Sequence, residues 1–423
     1  MTRRPLTGLW MTLTALVIAA GPLVSVASDW PRFRGPNGTG TSADKNVPVS
    51  WTAEKGVLWK TLIPGKGNSS PITWGDRLFL QTASEDGQER QLVCVDTNSG
   101  KIVWTKASPG SIPENKIHPK NTLASCSAAT DGERVYMPFW DGKDLSVSAF
   151  DFSGKVLWTR GLGAFVSQHG AGHAPIVHDG KVIIANDQDG KSVLVALDAK
   201  TGRVAWEAPR TPFRACYSTP FLLERMGEPL ELVVASTAGL SGYDPATGKS
   251  VWNWTWTFPG KPLRTVGSPI AAHGMIFVGS GDGAGDRHAI AIKVDGKGQL
   301  SENSLVWEEK KMFPYVPTML IHGEYLFYTN DKGIAACHIA KTGEKVWENR
   351  LSGTDISASP LMIEDRIYTI NEAGEVFVIA AAPEYKLLAQ NSMGEGVRAS
   401  PAVANGKLFI RGQQHLFCIG EKK

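Results

Sequence analysis

The sequence predicts an all-β chain folded as an eight-bladed β-propeller of four-stranded antiparallel blades, closed by an N-terminal strand. Three observations carry that prediction. A phrase ending in a turn and a tryptophan recurs along the chain. A small-polar segment, often ending in proline, opens eight successive units. The last unit lacks its final strand, and a spare tryptophan strand lies near the start.

The recurring phrase reads "VCVDTNSGKIVWTK" at Val93, "SAFDFSGKVLWTR" at Ser148, "VALDAKTGRVAWE" at Val195, "SGYDPATGKSVWNW" at Ser241 and "ACHIAKTGEKVWEN" at Ala336. Its Asp side chain is placed to accept from amides just ahead of it, and its Gly supplies the positive φ of a tight bulged hairpin. A Trp follows that Gly by four residues at Trp104, Trp158, Trp206, Trp252 and Trp347. Trp59 and Trp307 belong to the same set of blade tryptophans. A unit of this kind every 40 to 55 residues or so has the period of a propeller blade.

The eight opening segments are "NSSP" (68–71), "SCSA" (125–128), "GHAP" (172–175), "YSTP" (217–220), "VGSP" (266–269), "YVPT" (315–318), "SASP" (357–360) and "RASP" (398–401). Short turns such as "HDGK" and "ANGK" follow, then β-branched runs such as "VIIA" (Val182–Ala185). Each unit therefore holds four short strands joined by hairpins. A lone four-stranded sheet cannot bury both faces, whereas radial packing covers each face with a neighbour.

The count closes circularly. The eighth unit stops at Leu416–Gly420 without a Trp strand, and "GVLWKT" (Gly56–Thr61) supplies one. The prediction is that Val57–Leu62 pairs with Leu416–Ile419. The seventh unit is the irregular one, because "YKLLAQ" (Tyr385–Gln390) places Leu where Trp is expected and lacks the Thr-Gly turn.

Domain boundaries follow. Residues 1–27 read as a secretory signal peptide, with Arg3 and Arg4, an apolar run from Leu9 to Gly21, and Ser25-Val26-Ala27 for cleavage. The apolar run is shorter than the roughly 20 residues that span a bilayer, and a retained anchor is the alternative. Residues 28–55 read as an irregular N-terminal arm, Gly- and Pro-rich, with Trp30 and Phe33 pinning it to the ring; a free tail is the alternative. Residues 56–423 form the propeller. The expected location is exported, periplasmic or extracellular, soluble after signal cleavage, without a transmembrane anchor and monomeric.

Composition agrees with a large turn-rich core: 45 Gly, 14 Trp and 20% charged residues in 423. The net charge of +3 includes no basic stripe or charge block, which argues against nucleic acid. The five cysteines, Cys94, Cys126, Cys216, Cys337 and Cys418, show no framework spacing and read as buried thiols, three of them at equivalent strand positions.

The chain resembles the PQQ-like, quinoprotein-type propeller repeat family. The family phrase, roughly A-x-D-x-x-T-G-K-x-x-W, matches "ALDAKTGRVAW" (Ala196–Trp206) and "GYDPATGKSVW" (Gly242–Trp252), with further copies in phase from Gly56 to the end. The resemblance implies either a PQQ-dependent dehydrogenase or the BamB-like non-enzymatic branch. The enzymatic branch implies adjacent bridged cysteines, a calcium-bound carboxylate–amide set and a catalytic Asp. No two cysteines are adjacent here.

Other chemistry is sparse. "NDQDG" (Asn186–Gly190) and "GDGAGD" (Gly281–Asp286) lack the ligand spacing of a calcium loop. His169 and His173 are separated by glycines rather than a helix, and HExxH is absent. What remains is positional. Residues just ahead of the innermost strands converge at one mouth of the central channel: Asn68, His169, His173, Arg214, Tyr217, Arg264, Tyr315, Asp355 and Arg398. They define a partly cationic funnel for an anionic small molecule or a peptide end; the alternative is that they bond loop backbone and each other. "WNWTW" (Trp252–Trp256) alternates indoles onto one face, either as packing or as an exposed platform.

The function expected is an exported, non-catalytic binding scaffold, with envelope proteins or an anionic small ligand as partners and with no cofactor and no metal. The first alternative is a PQQ-dependent alcohol or sugar dehydrogenase using PQQ with Ca²⁺. The second is a cell-surface carbohydrate-binding propeller.

Overall fold

The computed structural model describes residues 29–52, 55–113, 117–256, 263–283 and 285–421. The expected signal peptide lies outside the described residues. The architecture is all-β: eight antiparallel sheets arranged as the eight blades of a propeller. Two three-residue 3₁₀ turns, Pro36–Gly38 and Glu302–Ser304, are the only helical segments among the described residues. No helix there is long and apolar enough to cross a membrane.

Blade 1 runs outward from Ile72–Trp74 through Arg77–Ala83 and Glu89–Asp96 to Ile102–Pro109. Blades 2 to 8 begin at Ala129–Thr130, Ile176–His178, Phe221–Leu223, Ile270–Ala272, Leu320–His322, Leu361–Ile363 and Ala402–Ala404. The ring closes as the sequence predicts. Val57–Leu62 pairs antiparallel with His415–Ile419, with Trp59 opposite Cys418.

The Asp of the repeated turn does the work expected of it. Asp198 Oδ1 accepts the Lys200 amide at 3.1 Å and the Thr201 amide at 2.8 Å. The Thr201 hydroxyl bond and these amide bonds hold its carboxyl below the ordinary range, although burial opposes them. The Trp that follows reaches the neighbouring blade. Trp104 Nε1 donates to the Phe152 carbonyl at 2.9 Å, and Trp59, Trp158, Trp206, Trp307 and Trp347 make the same bond to Thr97, Ala199, Pro245, Ala340 and Ala382. Each indole thus seals a gap between sheets and satisfies its one donor. Cys94, Cys337 and Cys418 sit directly across their strands from Trp104, Trp347 and Trp59. All five thiols are free and buried, and burial pushes Cys94 up to about 12.

Three blades depart from the pattern. In blade 4 the indole of Trp252 turns onto its own sheet and donates to Glu231 Oε2 at 2.8 Å. The connection after blade 5's third strand has no Thr-Gly turn; instead Gly298–Gln299 runs parallel to Trp252–Asn253 as a fifth strand. In blade 7 the bulge shared with the other blades pairs Val378 with Ala389 and Ile379 with Leu387, as it pairs Cys94 with Trp104 and Val95 with Ile102 in blade 1. The residue at the tryptophan position is therefore Ala389, not a leucine, and Leu387 and Leu388 face solvent. Trp51 of the arm, 5% exposed, lies in the hydrophobic cluster that includes Val378, Ala389 and Phe409. It brings an indole to the place where blade 7 has none.

The arm crosses the ring. Trp30 is buried and bridges Thr73 of blade 1, and the Pro31 carbonyl accepts the Thr130 amide of blade 2. Arg32 Nη2 donates to Pro220 O, and Asn37 makes paired bonds with Leu222, both in blade 4. Arg34 reaches blades 6 and 7, donating to Met319 O at 2.9 Å and Pro360 O at 3.1 Å. Thr41–Ser42 then runs parallel to Met362–Ile363. These acceptors are neutral carbonyls, and burial pulls both guanidinium groups down to about 9. The glycines of this segment are sites of close approach: a Cβ at Gly35 would enter the Trp30 ring, and one at Gly40 the Arg34 guanidinium.

Candidate binding site at the propeller mouth

The axis is organised by a belt of hydroxyl groups two residues ahead of the innermost strands, in five of the blades just before a proline. The amide of Thr219 donates to Ser268 Oγ, Ser268 to Thr318, Thr318 to Ser359, Ser359 to Ser400, Ser400 to Ser70 and Ser70 to Ser127. Blade 3 has Ala174 at this position, and the Ser127 amide bonds the His173 carbonyl instead. The small-polar segments of the sequence are thus the stitches between blades. They satisfy amides that a central channel would otherwise leave unpaired.

Above and through the belt runs a cavity of about 610 Å³. Phe33 of the arm lines it together with belt residues and loop residues of the mouth. The arm bonds Pro220, Met319 and Pro360, each the residue just past the belt, so Phe33 is held against the cavity on that side. Asn68, His169, Arg214, Tyr217, Arg264, Tyr315, Asp355 and Arg398 all line it. His173 does not. It is 5% exposed, packs edge-on against Phe165, and places Nε2 3.3 Å from Asn186 Oδ1. It sits one residue nearer its strand than Asn68, Tyr217 and Arg398 sit to theirs, and it turns into the core; burial pulls it down to about 4.

The two sides of the cavity differ in charge compensation. On the side of blades 6 to 8, a loop reaching over from between blades 1 and 2 is tied down. Lys120 Nζ lies 2.6 Å from Asp355 and 2.9 Å from Glu372. Lys332 pairs with Asp355, and Arg398 with Glu372. Burial pushes Glu372 up, but the Ser357 hydroxyl and Lys120 outweigh it and hold the carboxyl below its ordinary range. Arg398 also donates to Pro119 O, and Asn68 to Lys120 O.

The side of blades 3 to 5 is a cationic wall. Arg214 and Arg264 both direct an Nη2 at Gln168 Oε1, at 3.2 Å and 3.4 Å. Arg264 is 5% exposed, and its Nε has no hydrogen-bond partner among the described residues. Burial first, then the charges of Arg264, His118 and Arg214, pull the His169 imidazole down to about 4, so it is neutral at physiological pH. His118 stacks on it with ring centroids 4.7 Å apart. Arg287 lies over the Tyr315 ring and pairs with Asp331.

His118, Lys120, Gln168, Arg287, Asp331 and Lys332 were not among the residues expected from sequence. One signal for them exists. The second strand of each blade ends at the same mouth where the first begins, so "TNDKG" (Thr329–Gly333) necessarily faces the cavity.

The "WNWTW" indoles offer no platform. Trp252, Trp254 and Trp256 are 0%, 7% and 2% exposed, covered in the cluster shared by blades 4 and 5. Asp187 of "NDQDG" is likewise consumed, bonding Arg210 at 2.6 Å and 2.9 Å in the interior.

Eight antiparallel blades, with the Asp–Gly–Trp turn repeated among them, make the chain a PQQ-like propeller. The chain belongs to the family described as outer membrane protein assembly factor BamB, whose model matches residues 27–146 and 143–298. It is similar to BamB of Shewanella oneidensis, at 26% identity over 193 residues, covering 42% of this chain and 46% of that protein. It is also similar to tetrathionate hydrolase of Acidithiobacillus ferrooxidans, at 29% identity, covering 35% of this chain and 30% of that one. The matches thus span less than half the length of these two relatives. Among solved structures, BamB of Moraxella catarrhalis has a TM-score of 0.61 at 15% identity, covering 86% of this chain and 97% of that one. Quinohemoprotein alcohol dehydrogenase of Comamonas testosteroni scores 0.64 at 13% identity, covering 94% and 81%. These structural likenesses concern the fold.

The dehydrogenase side of the resemblance implies PQQ and a metal ion. Among the described residues no group of three or more His, Cys, Asp or Glu side chains is placed to hold a metal. The cysteines are spread over separate blades as buried thiols.

Proposed function

We propose that the chain is an exported, non-catalytic binding scaffold that receives an anionic small molecule or a peptide end in its axial cup. Its mouth loops would engage envelope proteins, with the chain itself a periplasmic or extracellular monomer. Membership of a family named for outer-membrane protein assembly supports the scaffold reading. The observation that carries the ligand reading is the cationic wall: Arg264 is buried at the cavity surface with Nε unsatisfied. A buried donor of this kind costs free energy until something accepts from it. Six Lys and Arg against three Asp among the lining residues give the cup an excess of positive charge.

A second reading, a PQQ-dependent alcohol or sugar dehydrogenase, has in its favour the likeness of fold to a quinohemoprotein alcohol dehydrogenase over 94% of the chain. One experiment separates the two. Purified protein is titrated with PQQ and Ca²⁺ and assayed for dye reduction with alcohols and sugars, and in parallel with small organic anions by calorimetry. The scaffold reading predicts binding of anions and no turnover. Turnover dependent on PQQ overturns it. The carbohydrate reading loses its basis with the burial of the tryptophans.

A further inference from the structure

We propose that Arg264, with Gln168 beside it, forms a carboxylate-binding subsite in the wall of the cup. The proposal deepens the anion-binding reading and rests on it. A guanidinium presents its donors as a planar fork that matches the two oxygens of a carboxylate. Here that fork is only partly used. Arg264 Nη2 has the neutral Gln168 oxygen at 3.4 Å, a long bond, and Nε has no partner among the described residues. The same Gln168 oxygen also accepts from Arg214 at 3.2 Å. One uncharged amide oxygen therefore stands where two cationic groups converge.

The surroundings favour a singly charged planar group over a phosphate. Asp282, Asp331 and Asp355 also line the cavity and would oppose a phosphate group more than a carboxylate, which brings a single charge to the site. Asp189 lies nearby, already accepting the Ala215 amide at 2.8 Å. A charge-assisted pair in a water-poor cleft is worth about tenfold or more in affinity. Carboxylates of this kind come from two sources, a small organic acid or the C-terminus of a peptide.

The test is calorimetry on the full chain with four probes: N-acetyl-trialanine as free acid, the same peptide amidated, succinate, and inorganic phosphate. The subsite predicts that a free carboxylate binds and that amidation weakens the peptide about tenfold or more. Binding of succinate alone assigns the source to a small acid, and binding of the peptide acid alone to a peptide end; both support the subsite. Arg264→Gln should lose the same factor, whereas Lys345→Gln on the outer face of blade 6 should not. Gln168→Glu supplies an internal carboxylate, and should abolish acid binding while raising the melting temperature. That variant keeps the test valid should Arg264→Gln fail to fold. Equal affinity for acid and amide, or full affinity in Gln168→Glu, overturns the subsite. If phosphate binds and neither acid does, the subsite falls and the anion-binding cup stands. If no probe binds, both fall.

Discussion

Trp59 and Cys418, near opposite ends of the chain, are cross-strand neighbours in one sheet. The Trp59 indole continues past Cys418 to the Thr97 carbonyl of blade 1, at 3.1 Å, so a single residue both completes blade 8 and staples it to the first blade. Trp59→Ala removes the packing and the bond together. Urea unfolding is expected to show a loss of about 3–5 kcal/mol. A loss within 0.5 kcal/mol or so, the usual range for surface substitutions, would mean that the ring does not depend on this closure.

Gly40 has φ 73°, and a Cβ there would meet the Arg34 guanidinium. Gly40→Ala is therefore expected to cost about 1–3 kcal/mol through strain and displacement of Arg34. Hydrogen exchange should report it locally, as faster exchange around 34–42, because that segment holds Phe33 against the cup.

The neutral form of His173 is the folded form, since burial pulls its pKa from 6.5 down to about 4. A depressed histidine binds more protons when unfolded, so stability falls as pH drops through the window between 6.5 and 4. The expected loss between pH 7 and pH 4 from this one residue is about 3 kcal/mol. His173→Gln should flatten that part of the stability profile; an unchanged slope would contradict the assignment.

The loop carrying Lys120 is held by Asp355 and Glu372, both kept below their ordinary values by hydrogen bonds and ion pairs that outweigh burial. Depressed carboxylates keep their pairs until pH falls through the folded-state value. Protection factors at 117–122, taken relative to the intrinsic rate, are therefore expected to hold as pH falls through the ordinary carboxylate range and to be lost only below it. Loss of protection already at pH 6 would contradict this.

How much was legible in the sequence differs by element. The phrase from Val195 to Glu207 encodes its own hairpin, because the Asp, Gly and Trp act within a few residues of each other. The closing strand at Val57–Leu62 was legible by counting alone. The path of the arm was not, since Arg32 and Arg34 bond carbonyls in blades 4, 6 and 7, and no local pattern names such partners. Ala389 was legible but miscounted: Lys386-Leu387-Leu388-Ala389 aligns with Lys101-Ile102-Val103-Trp104, and the bulge at Val378 and Ile379 matches the one at Cys94 and Val95. Trp254 and Trp256 alternate as an exposed face would, and the neighbouring sheet of blade 5 buries them. Eight of the nine mouth residues line one cavity because topology, rather than sequence distance, brings them there. His173 fails for a local reason: it lies one residue nearer its strand than Asn68, Tyr217 or Arg398, at the position that Ser69 holds in blade 1.

The central claim is that the axial cup meets its ligand through the wall of Arg264. The most direct measurement is a crystal structure of the full chain grown with succinate. The account predicts carboxylate density against the Arg264 guanidinium, with Gln168 displaced or sharing the contact. Density confined to the ion-paired side near Lys120, or a cup holding only water at saturating succinate, would contradict it.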